Sequence, residues 1–208
     1  NEIAALLTEN GKLLFINAHN GQPLSEQQLP LHDAAITSLR VKTPGDDTLL
    51  LGLSNGQAIA IDTTFKVEFD PEGQRLGVKP RVTQLFNGQA LQLDPQQRPL
   101  KYITQQRSPE GMLLAGLVDE GQIVMTLLSQ RTNFISGEVQ ESLQPIDFPS
   151  STAYQRLLIA PDHHYIFALR NSGRLDVYDS RNLDNIQLSH TVPLVEPGQE
   201  VTQMIFQL

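Results

Sequence analysis

Four times along this chain an apolar stretch runs into a short polar turn closed by glycine and leaves as a second apolar stretch. The segments are ALLTENGKLLFINAHNG, LLGLSNGQAIAIDTT, LAGLVDEGQIVMTLLSQ and FALRNSGRLDVYDSRN, and the turn glycines are Gly11, Gly56, Gly121 and Gly173. Glycine accepts the positive φ that tight hairpin turns demand, and Asn-Gly does so at both central positions, so each segment reads as a β-hairpin. The four glycines are spaced 45, 65 and 52 residues apart. A recurrence of roughly 40–50 residues with one long insertion marks an array of similar supersecondary units. No segment holds a 3.6-residue apolar period over three turns. Arg174–Asp179 alternates strictly, with Leu175 and Val177 opposite Asp176 and Tyr178.

Three of the hairpins are preceded by a further strand-like run, at 36–41 (ITSLRV), 100–106 (LKYITQQ) and 154–160 (YQRLLIA). Each run ends in a polar turn: Thr43–Asp47, Ser108–Gly111 and Pro161–His164. A more polar strand follows each hairpin. Four antiparallel strands per repeat make one blade of a propeller. The expected fold is therefore all-β: propeller-like repeats of four-stranded antiparallel blades, in a partial propeller of about four blades. As one domain over 1–208, the repeats fall at about 1–33, 34–98, 99–149 and 150–197, and 198–208 opens a further blade or closes the first. The first repeat lacks its opening strand, the last residues have the pattern of one, and both ends read as cut from something longer. The 65-residue spacing contains FKVEFDPEGQR, whose Phe65, Val67 and Phe69 share a face and whose Asp70–Gly73 forms a turn. It reads as an extended hairpin that protrudes from its blade or lies over the neighbouring one.

Size and charge bound the function. A chain of 208 residues with 39% hydrophobic and 18% charged content has enough apolar surface for a sizeable core and is unlike a disordered sequence. Its net charge of −8, without a basic stripe, disfavours nucleic acid and anionic membrane as partners. The absence of cysteine removes disulfides and thiolate metal sites, and no apolar run approaches the roughly 20 residues that cross a bilayer.

Each candidate for chemistry has a competing structural explanation. Gly52-Leu53-Ser54-Asn55-Gly56 spells the G-x-S-x-G of a nucleophile elbow, but the elbow needs a helix after the serine. Here an alternating strand follows, so Ser54 reads as a hairpin-turn residue. His163 and His164 are adjacent on the chain, and neighbours on extended backbone point to opposite faces, so one metal ion can rarely use both. His19, His32 and His190 are isolated, and the carboxylate pairs Asp46-Asp47 and Asp119-Glu120 sit in turns. The expectation is no catalytic residue, no cofactor-binding residue, no metal ligand and no cofactor.

LLIAPDHHYIFALRNSGRLDVYDSRN resembles a WD40-type blade, in which a Pro-Asp turn precedes the inner hairpin. Asp179 takes the Asp place of that family's Trp-Asp pair, and Tyr178 stands where Trp would be. NGKLLFINAHNGQPL is similar to a quinoprotein-type blade, without its docking Trp. Over most of the chain, the order of a degenerate hairpin, then FKVEFDPEGQRLGVKPRV, then further degenerate blades resembles the extracytoplasmic insertion of bacterial Pst-type phosphate ABC transporter permeases. That resemblance implies a soluble, non-catalytic accessory domain on the periplasmic side of the bacterial inner membrane, within a membrane-embedded parent. Its partners would be proteins, either transporter subunits or a periplasmic binding protein, and it would act through protein–protein contact or by regulating transport. Two alternatives stay open: a quinoprotein-like scaffold for envelope protein assembly, and a fragment of a propeller enzyme whose site lies outside this chain.

Overall fold

A computed structural model describes residues 3–41, 48–84, 88–108, 110–132, 139–149, 152–195, 199, 201–202 and 204. The turn expected at 43–47, the pair Asp46-Asp47, Pro109 of the turn at 108–111 and most of the strand expected at 201–208 lie outside these residues. The first sheet holds β1 (Ile3–Leu7), β2 (Lys12–Asn17) and β3 (Pro23–Gln28). The second holds β4 (Ile36–Val41), β5 (Thr48–Leu53), β6 (Gln57–Phe69), β7 (Arg75–Gln84) and the short β8 (Leu91–Gln92). The third holds β9 (Tyr102–Ser108), β10 (Gly111–Leu117), β11 (Ile123–Thr132) and β12 (Val139–Ile146). The fourth holds β13 (Tyr154–Ile159), β14 (Tyr165–Arg170), β15 (Arg174–Asp179) and β16 (Gln187–Pro193). Every pairing is antiparallel, and each sheet follows chain order, with β8 off that path and paired to β6. Apart from a single 3-10 turn at Asp119–Gly121, no helix occurs among the described residues, and none is long and apolar enough to cross a membrane.

The turn glycines do what their positions require. Gly11, Gly56, Gly121 and Gly173 have φ of 78°, 75°, 71° and 75°, in the left-handed region that side chains with a Cβ resist. Outer strands carry Pro80, Pro145 and Pro193. A residue with no N–H is tolerated at an edge and not in a central ladder.

The sheets stack through their faces. On β5 and β6, Leu51, Leu53, Ile59 and Ile61 pack toward the first sheet with Leu29 and Leu31. Their alternating neighbours Leu50, Ala58 and Ala60 pack toward the third sheet with Leu114, Ile103 and Leu100. On β10, Leu113, Ala115 and Leu117 face the fourth sheet, against Leu157, Ile159, Ile166 and Ala168. Middle sheets are thus buried on both faces, which is why β5 and β10 read as near-continuous apolar runs. The opening strands β4, β9 and β13 pack against one another in sequence, so they form the inner side of the arc, and the polar β3, β12 and β16 lie outside. Four successive antiparallel sheets stacked in this way make a partial β-propeller of about four blades.

The insertion in the second repeat is absorbed without disturbing that blade. β8 pairs with the start of β6 at Gln57 and Ala58, and β7 pairs with β6 from Ile61 onward. Among the described residues, the ladder from Thr64 to Phe69 therefore extends beyond the blade as a two-stranded arm. The arm combines both of the expected dispositions. At its root Phe65 meets Phe15 of the first sheet edge-on, with ring centroids 6.2 Å apart, while Val67 and Phe69 are exposed.

Candidate functional site

Polar side chains bind successive blades together at their inner ends. The Ser38 hydroxyl on β4 donates to the Leu100 carbonyl at 2.7 Å, and Leu100 N–H donates to Leu53 O at 3.1 Å. Arg40 lies over the Tyr102 ring of the next blade, 5.6 Å from its centroid, and bonds its hydroxyl. In the loop from β8 to β9, buried Asp94 receives Arg98 Nε at 2.9 Å, Arg98 Nη2 at 3.0 Å and the Arg98 backbone N–H at 2.8 Å. Burial pushes the Asp94 carboxyl up, but these bonds and the guanidinium charge outweigh it and hold it below the usual carboxylate range. Arg98 then reaches Gln122 Oε1 at 2.6 Å, and Lys101 pairs with Asp119 at 2.9 Å. These bonds clamp the β10–β11 turn to the preceding blade.

The fourth sheet contains a buried polar cluster. Asp176 on β15 is fully buried and accepts Arg170 Nε, the Tyr154 hydroxyl and the Thr191 hydroxyl, each at 2.7 Å. The Tyr154 and Tyr178 hydroxyls are 2.6 Å apart, and Phe148 packs edge-on against Tyr178 at 4.6 Å. Burial pushes the Asp176 carboxyl up, but the bonds from Arg170, Thr191 and Tyr154 hold it below its ordinary value. Burial, and after it the bonds to Tyr178 and Asp176, drive the Tyr154 hydroxyl strongly up; burial also raises Tyr178. A carboxylate with three donors and phenols kept protonated make a structural tie rather than a proton-transfer group.

The sequence candidates are placed as follows. Ser54 sits in the β5–β6 turn, where its Oγ accepts the Ala35 N–H at 2.9 Å and its own N–H donates to Ala35 O at 2.8 Å. It therefore ties the hairpin to the segment before β4. His163 and His164 lie in the β13–β14 turn with ring centroids 5.5 Å apart, and His164 Nδ1 is 3.4 Å from Asp162. The Ser180 hydroxyl and N–H donate to the His163 and His164 carbonyls at 2.8 and 2.9 Å, so this turn is fixed to the β15–β16 loop. His19 and His190 are exposed, and His32 lies on the connection to β4 with φ 46°. Asp119 and Glu120 occupy the 3-10 turn. Among the described residues, no three His, Asp or Glu side chains are grouped to hold a metal ion.

Sequence reasoning missed a surface groove between the third blade and the 181–184 loop. Leu127 and Ile146 line its buried part, and Gln144, Glu110, Arg181 and Asn182 present polar groups around it. Asp179 holds Arg181 with both carboxylate oxygens. Those bonds and the Arg181 charge bring the Asp179 carboxyl down to about 2. The groove measures about 200 Å³. That is below the roughly 300–1,000 Å³ of small-molecule sites, and it is the size of a side chain or two.

A partial propeller with a side-chain-sized surface recess is the class of protein that fold and site define. No family model and no curated protein sequence matches the chain. It is similar in structure to the β-propeller domain of Cps50 (Swd1) from Myceliophteria thermophila, at 14% identity and TM-score 0.49, over 93% of this chain and 52% of that one. It is also similar to the fission yeast SREBP–SCAP binding domains, at 15% identity and TM-score 0.48, over 92% of this chain and 46% of that one. A third is the Pan2 WD40 domain of Neurospora crassa, at 14% identity and TM-score 0.42, over 92% and 46%. The chain spans about half the length of these structures. Their likeness is one of fold, and the assignment here rests on the sheets and their stacking.

Proposed function

We propose that this chain is a non-catalytic interaction module that displays loops and outer strands to protein partners. The observation that carries this reading is the groove beside the 181–184 loop, lined mainly by amide and charged groups over Leu127 and Ile146, with the volume of a partner's side chain rather than of a metabolite. The ion pairs Asp94–Arg98, Asp176–Arg170 and Asp179–Arg181 point the same way, because each shifted carboxylate is already committed to a structural partner.

The finer proposal places the module in a phosphate ABC transporter permease, as an extracytoplasmic accessory domain whose partners are the transporter subunits or their binding protein. Its support is the order of hairpin, FKVEFDPEGQRLGVKPRV arm and further degenerate blades. The parent gene tests it first: membrane spans flanking this segment are expected, and a chain without them overturns the reading. Calorimetry against the cognate periplasmic phosphate-binding protein then tests the contact. Asn182→Ala and Gln144→Ala are expected to weaken binding several-fold. Unchanged affinity would remove the groove from the interface.

A further inference from the structure

Among the described residues, the arm leaves one strand edge unused. β5 pairs with β6 up to Thr48 opposite Asp62, and from Thr64 to Phe69 the described ladder of β6 is to β7 alone. The one irregularity in that stretch places Phe69 opposite Arg75, so the extra residue belongs to β7 and β6 keeps a regular pleat. On a regular strand Phe65, Val67 and Phe69 share one face, and Thr64, Lys66 and Glu68 share the other. Phe65, Val67 and Phe69 are 43%, 37% and 60% exposed. A free edge with an exposed aromatic and β-branched face is a ready template for another strand.

The sequence on that edge fits itself. Placing a second copy antiparallel about a two-fold axis at Val67 sets Val67 opposite Val67, Phe65 opposite Phe69 and Lys66 opposite Glu68. The five residues FKVEF thus pair apolar with apolar on one face and cation with anion on the other, twice over. The arm's own ladder leaves this charge unmet. Lys66 is directly across from Lys79, Glu68 is across from Gly77, and neither Lys66 nor Glu68 has an ion-pair partner among the described residues. An arriving Glu68 would place its carboxylate beside the Lys66–Lys79 pair.

We propose that the free edge of β6 over Phe65–Phe69 is a self-association surface, through which two copies join their arms into one continuous four-stranded antiparallel ribbon. The occupant is a second copy of this chain, chosen by the two-fold complementarity of Lys66 and Glu68. A five-residue strand pair buries less than the roughly 1,200 Å² of a standard interface, so the dimer is weak and concentration-dependent.

Sedimentation velocity of the full chain over a concentration series reads this directly. The expected result is a monomer–dimer equilibrium that K66E or E68K each weakens by roughly tenfold, since each turns two attractive cross-strand pairs into repulsive ones. The K66E/E68K double variant is expected to restore it. The cysteine-free chain permits a second measurement. Directly opposite residues in an antiparallel pair have Cα atoms about 4.5–5.5 Å apart, within disulfide range. V67C is therefore expected to give a disulfide-linked dimer under mild oxidation, and S189C on the outer strand of the fourth blade is not. A chain that stays monomeric throughout, a dimer indifferent to charge reversal, or V67C that links no better than S189C overturns the proposal.

Discussion

Asp176 shows how one side chain can hold four strands. Tyr154, Arg170 and Thr191 come from β13, β14 and β16, and all converge on the carboxylate presented by β15. Removing the carboxylate leaves a guanidinium and two hydroxyls without their acceptor. Asp176→Ala is therefore expected to cost about 3–5 kcal/mol, the range for breaking one partner out of a buried pair, measured from the shift in denaturant midpoint. The pH dependence follows from the depressed carboxyls of Asp176 and Asp94. A carboxyl lowered in the folded state contributes stability above its unfolded value near 3.9, and loses it as pH falls through the folded value. Stability should therefore drop below about pH 4, and Asp176→Asn should be less stable at neutral pH with a shallower acid limb. Equal acid limbs in a urea series at pH 2.5–7 would remove Asp176 from the acid transition. The sequence did not expose this cluster, because its members lie on four strands and meet only through register. The irregularity between Tyr154 and Arg156 sets Tyr154 across from Arg170, and the one between Val177 and Tyr178 sets Asp176 across from Thr191. Alternation placed Asp176 and Tyr178 on one face, but could not say that the neighbouring blade covers that face.

The hairpins were legible because their information is local. A positive φ at glycine, two flanking period-two strands and a repeat spacing are all contained within some fifteen residues, and the structure places strands on both sides of each turn. The groove was not legible, since it joins β11 and β12 to a loop almost forty residues further on. Two glycines separate local from tertiary demands. Gly21 and Gly121 have nearly the same φ, 70° and 71°. A Cβ on Gly21 meets nothing within 4 Å, whereas one on Gly121 falls 2.4 Å from Tyr154 O and 2.5 Å from Tyr154 N. Gly21→Ala is expected to cost about 1 kcal/mol, the backbone term alone. Gly121→Ala should cost at least about 2 kcal/mol more, because the third blade's hairpin must move off the fourth blade's first strand. Equal destabilisation of the two variants in parallel thermal melts would mean that this blade contact is soft.

Stacked blades that touch mainly their neighbours share stability as a linear array does, interface by interface. The three apolar cores of this molecule are unequal among the described residues. The core between the third and fourth blades is the largest and includes Tyr154, Tyr178 and Met125; the one between the first and second is the smallest. Among the described residues the first blade also has three strands where the others have at least four, and Leu6 on β1 is 47% exposed. No packing like that between consecutive blades joins the described strands of the first blade to those of the fourth. Opening should therefore begin at the first blade and proceed along the arc, with the third and fourth blades last. Hydrogen exchange measured by mass spectrometry is expected to show amides of β1 and β2 exchanging at least tenfold faster than those of β10 and β14, although all four are paired within sheets. The arm should follow the first blade rather than the second, because its root rests on Phe15 through Phe65. If β1 and β10 exchange at one common rate, the molecule opens as a single unit, and a closed ring would then describe it better than an arc.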